Sequence, residues 1–73
     1  MDNNFKKIYY YVMCVSAFSK EKDMEKRNAF NYLLEHNGIE FIIECYDAEH
    51  TLSIEDAVND LTLVCKNNGG NIE

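Results

Sequence analysis

The polar residues best spaced for chemistry lie in one short run, Asp47-Ala48-Glu49-His50-Thr51, just after Cys45 and Tyr46. A histidine titrates near neutrality, and carboxylates beside it can orient or charge its ring, which are the requirements of a general base. Ser19, at the end of an apolar run earlier in the chain, is the hydroxyl that a suitable fold would carry to it. Ser19, Asp47, His50 and Thr51 therefore define an alternative site, that of a small enzyme or ligand-binding domain, second to a non-enzymatic binding surface. No nucleophile is fixed by spacing relative to His50, so no catalytic residue is assigned. Cys45, Asp47, Glu49 and His50 lie close together but without the spacing of a zinc motif, and no metal is expected. All three glycines follow predicted helices and none forms a loop that cradles phosphate, so no nucleotide or other cofactor is expected.

A second constellation is electrostatic. Residues 1–34 carry six Lys/Arg and four acids, whereas residues 35–73 carry nine acids and only Lys66, which together make the net charge of −6. Glu40 and Glu44 fall on one side of their segment, Glu55, Asp56 and Asp60 on the outer side of the last predicted helix, and Asp47 and Glu49 between them. Such a surface suits a basic partner and resembles the negative array of a phosphate backbone. Nucleic-acid binding is not expected: Glu21, Asp23 and Glu25 interleave with Lys20, Lys22, Lys26 and Arg27, and the whole chain is acidic.

A third constellation is the aromatic run Tyr9-Tyr10-Tyr11 inside Ile8–Phe18, where only Ser16 is polar. Its β-branched and tyrosine content favours a strand from about Lys7 to Phe18 with both faces covered. Ile8, Tyr10, Val12, Cys14 and Phe18 would line one face, and Tyr9, Tyr11, Met13, Val15 and Ala17 the other.

Four elements must position these residues. After the first strand, a charged stretch leads into a helix with Ala29, Phe30, Leu33 and Leu34 on one face, capped at Ser19 or Asp23. Asn37-Gly38 ends it by supplying a residue able to take positive φ. Ile39–Tyr46 reads as a second strand, with Ile39, Phe41, Ile43 and Cys45 inward and Glu40, Ile42, Glu44 and Tyr46 on a half-exposed face. A brief third strand is possible at His50–Leu52. Ser53 then caps a helix whose core stripe is Ile54, Ala57, Val58, Leu61, Val64 and Cys65, and Asn67–Gly70 ends it.

The expected fold is thus α/β, or small α+β, in β-α-β-α order. Two helices pack on a short sheet that a third short strand or a second chain completes, and residues 1–73 form one small domain. The open sheet edge points to a homodimer, with Tyr9, Tyr10 and Tyr11 at the contact. The stretch from Ile8 to Asp47 resembles the opening β-α-β of thioredoxin-like and glutaredoxin-like proteins. It departs from that pattern where the chemistry lies, having no Cys-x-x-Cys and no proline at all, so redox activity is not expected.

No apolar run is long enough to span a membrane. Asp-Asn-Asn after Met1 is not the start of a secretory leader, and an odd count of three cysteines suits reduced thiols, so a cytoplasmic location is expected. The expected function is non-enzymatic. It is a small intracellular regulator or inhibitor, of the kind often encoded by phages and mobile elements, that engages a basic protein through Glu40, Glu44, Asp47, Glu49, Glu55, Asp56 and Asp60.

Overall fold

The computed structural model describes residues 3–73. Among them it contains five α-helices and no strand: α1 Asn3–Glu21, α2 Lys26–Glu35, α3 Gly38–Glu44, α4 Tyr46–Glu49 and α5 Ile54–Asn67. The expected α/β sheet is therefore overturned. Both predicted strands are helices, and the third, at His50–Leu52, is a turn.

The burial pattern shows why helix wins over strand. In α1, Cys14 and Phe18 are fully buried, four residues apart, while Val12, four residues before Ser16 and two before Cys14, stands 57% exposed. Tyr10 and Tyr11 pack against the core, so the period is that of a helix and not two. In α3, Ile42, assigned above to the half-exposed face of a strand, is fully buried, whereas Ile43, assigned to the core face, is 50% exposed. Glu40 and Glu44 sit four residues apart. That spacing shares a face in a helix and in a strand alike, which is why the acids could not tell the two apart.

The helix boundaries follow from local backbone chemistry. Asp23 takes φ 56, with Met24 N–H donating to Ser19 O (2.8 Å) and Asp23 N–H to Lys20 O (3.3 Å). This is a Schellman end for α1, built on an aspartate in the left-handed region. Neither expected cap of α2 acts as one: Asp23 belongs to the end of α1, Ser19 is buried within α1, and the residue at the α2 N-cap is Glu25, which makes no side-chain cap bond. Asn37 takes φ 69, as its position predicts, and Gly38 opens α3 at once. Ser53 caps α5 by accepting from Asp56 N–H at 3.0 Å.

The core is formed by Cys14 and Phe18 of α1, Ala29 and Leu33 of α2, Ile42 of α3, and Ala57, Val58, Leu61 and Cys65 of α5. Phe30 and Leu34, expected on the core face of α2, are 42% and 55% exposed. A Cβ on buried Gly38 would lie 3.1 Å from Cys65 Sγ, while Glu49 of α4 meets Asp60 and Asp56. The N-terminal end of α3 is therefore at the C-terminal end of α5, so α3 and α5 run antiparallel. The chain end is tied back by Ile72 N–H donating to Tyr32 Oη at 3.0 Å and by Asn37 Nδ2 donating to Asn68 Oδ1 at 2.8 Å.

Candidate functional site

Five exposed acidic residues of the second half are spread over α3, α4 and α5, with Glu55 on the side of α5 that faces α1. Glu40, Glu44 and Asp47 are exposed along α3 and the start of α4, and Glu55 and Asp56 are exposed in the first turn of α5. None of these five carboxylates lies within ion-pair distance of a described cation; Lys66, the lone cation of the second half, is at the far end of α5 and pairs with Glu73 at 3.6 Å. Glu55 and Asp56 also meet the positive end of the α5 dipole, where carboxylates are stabilised.

Glu49 departs from the array. It is 6% exposed, and its carboxyl turns inward against Asp60. Burial, the hydrogen bond with Asp60, and the charges of Asp60 and Asp56 push its pKa up to about 7. One oxygen, Oε1, has no partner among the described residues, and neither does the buried hydroxyl of Tyr10. Burial also raises the Tyr10 phenol and the Cys14 thiol, which lie side by side.

The alternative site does not assemble. His50 stacks on Tyr46 with centroids 4.4 Å apart and planes 2° from parallel, and its Nδ1 is bound to Tyr46 O at 2.7 Å. Thr51 Oγ1 donates to Ala48 O at 2.7 Å. The ring of His50 lies 6.5 Å from that of Tyr10. Ser19, nine residues further along α1, is about 13 Å away along the helix axis, buried, with its hydroxyl donating to Ser16 O at 2.8 Å. Ser19 and His50 thus serve local structure at separate places. Among the described residues, no group of three or more His, Cys, Asp or Glu is placed to hold a metal.

The tyrosine run is divided by the helix. Tyr9 faces outward, 65% exposed, while Tyr10 and Tyr11 pack inward, edge-on to Tyr46 at 5.4 and 6.1 Å. A sheet-edge contact through all three is therefore excluded. What the strand reading missed is the outer face of α1. Phe5, Ile8, Tyr9, Val12 and Met13 are all exposed, at the i, i+3, i+4, i+7, i+8 spacing that marks one helix face. That spacing was present in the sequence.

Among the described residues, no helix is long and apolar enough to cross a membrane. No curated protein matches the chain and no solved structure does. A family profile described as "Protein of unknown function (DUF3791)" matches residues 9–68, which spans all of α2 to α5 and most of α1, and the chain belongs to that family.

Proposed function

We propose that this protein acts by binding a macromolecular partner, as a small regulator or inhibitor, and that the partner is a protein with a basic surface. The observation that carries this reading is the set of exposed carboxylates, Glu40, Glu44, Asp47, Glu55 and Asp56, with no described cation in ion-pair reach. Held on rigid helices, like charges repel one another. A basic partner relieves that repulsion and is steered toward this half of the molecule at long range. Exposed Ile43 and Leu63 on α3 and α5 add the apolar area that a specific contact needs beside charge.

The test compares the tagged wild-type protein with the variant Glu40→Lys/Glu44→Lys/Asp47→Lys in extract of the source cell. The wild type is expected to retain a basic protein that is released by raised salt and is not retained by the variant. Equal retention by the variant, or a complex indifferent to salt, overturns the reading. His50→Ala should leave retention unchanged; loss of function with that variant would favour a site at the 47–51 turn instead.

A further inference from the structure

Five of the ten large hydrophobic side chains exposed among the described residues lie on the outer face of α1. Phe5 is 75% exposed, Ile8 59%, Tyr9 65%, Val12 57% and Met13 37%. Together these side chains leave on the order of 600 Å² of mostly apolar surface, at the upper end of what a monomer exposes in one patch.

The face is uneven along its length. Its N-terminal half carries the large side chains Phe5, Ile8 and Tyr9. Its C-terminal half carries small ones, Ser16 and Ala17, with a groove on either side. One groove, of about 410 Å³, runs between α1 and α2 and is lined by Val12, Val15, Ser16, Arg27 and Phe30. The other runs between α1 and α5 and is lined by Met13, Ser16, Ala17, Lys20 and Ile54. Ridge and grooves therefore lie on one surface, displaced along the helix.

We propose that α1 pairs antiparallel with α1 of a second copy of this chain about a two-fold axis near Val12 and Met13. In that register Tyr9 of each copy faces Ser16 of the other, Ile8 faces Ala17, and Phe5 lies under the stem of Lys20. Each bulky half fills the grooves beside the other's small half, which is the self-complementarity a two-fold interface requires. A parallel pair would instead stack Phe5 on Phe5 and leave both grooves empty. Charge agrees with the antiparallel arrangement: exposed Lys6 comes toward the second copy's α1 C-terminus, where cations are favoured. With Phe30, 42% exposed, complete burial would remove roughly 700 Å² per copy, close to the roughly 800 Å² per partner of a standard stable interface. A chain of this size gains from such an addition, because a core of nine buried side chains supplies only a few kcal/mol.

Sedimentation equilibrium on the full chain tests the proposal. The expected mass is twice the 8.5 kDa of the chain. Val12→Asp and, independently, the groove-filling Ser16→Trp should each weaken association about tenfold or more while keeping the helical circular dichroism of the wild type. Orientation is read by cross-linking in a Cys45→Ser background, where Cys14 and Cys65 are buried. Val12→Cys should cross-link to itself. Phe5→Cys should not, but should cross-link when mixed with Lys20→Cys. A wild-type protein that stays at 8.5 kDa at high concentration overturns the dimer. Self-cross-linking of Phe5→Cys as efficient as that of Val12→Cys overturns the antiparallel register.

Discussion

Glu49 on α4 holds its carboxyl against that of Asp60 on α5, in a side chain only 6% exposed. Burial, with the neighbouring carboxyls of Asp60 and Asp56, favours the protonated form of Glu49.

The consequence is a stability that falls as pH rises. Glu49 ionises near 4.5 in the unfolded chain and near 7 in the folded one. Between these values the folded state holds a proton that the unfolded state has released. The contribution is therefore fully present below pH 4.5 and lost as pH rises through about 7. Glu49→Gln keeps a donor toward Asp60 without the charge. Its stability advantage over wild type in urea melts should be small at pH 5 and grow to on the order of 2 kcal/mol at pH 8. An advantage that does not change with pH would refute the assignment.

Asp23 closes α1 with φ 56, a conformation that costs a side chain but not glycine. Asp23→Gly should raise stability by about 0.5–1 kcal/mol, seen as a higher midpoint in thermal melts. A lower midpoint would mean that the carboxylate makes a compensating contact.

Gly38 is buried where the α2–α3 turn meets α5. A Cβ there would lie 2.8 Å from Leu33 Cδ2 and 3.1 Å from Cys65 Sγ, and both side chains are fully buried. Gly38→Ala should destabilise the fold by roughly 1–3 kcal/mol, the usual cost of overpacking. Unchanged stability would show that α3 can move away from α5 at little cost.

The three cysteines should separate kinetically. Cys14 and Cys65 are fully buried and burial pushes both thiols up, while Cys45 is half-buried. A thiol reagent near neutral pH should label one cysteine quickly and the other two only on unfolding. Fast labelling of two or three in the native protein would contradict the packing of α1 on α5.

Much of the local structure was legible before any packing was known. Ser53 with Asp56 three residues on, followed by Ala57, Val58, Leu61 and Cys65, specifies α5 and its buried stripe without help from the rest of the chain. Asn37 announces its positive φ. The charge asymmetry foretold an acidic second half, and the structure places Glu40, Glu44, Asp47, Glu55 and Asp56 at its surface. Glu49 was misplaced because a carboxylate's burial depends on where α4 lands against α5, and no local pattern records that.

The strand readings failed for a definable reason. Ile8–Phe18 is apolar at nearly every position, so it carries no period to choose helix from strand, and β-propensity is a weak guide against tertiary context. Ile39–Tyr46 has its glutamates at a spacing compatible with both. The end of α1 is marked by an aspartate and not by glycine or proline, so Asp23 reads as a beginning and not a stop.

The sequence by itself determined the caps and period of α5, the turn at Asn37 and the polarity of charge along the chain. It also led to the expectation that both faces of Ile8–Phe18 are covered, and the tertiary structure covers only one. The space between α2, α3 and α5 admits one face of a helix, Cys14 and Phe18 with their neighbours, because side chains three and four apart along a helix project to one side. The remaining apolar residues of α1 are turned to the outside. The residues that look most buried in the sequence thus include those most exposed in the folded chain.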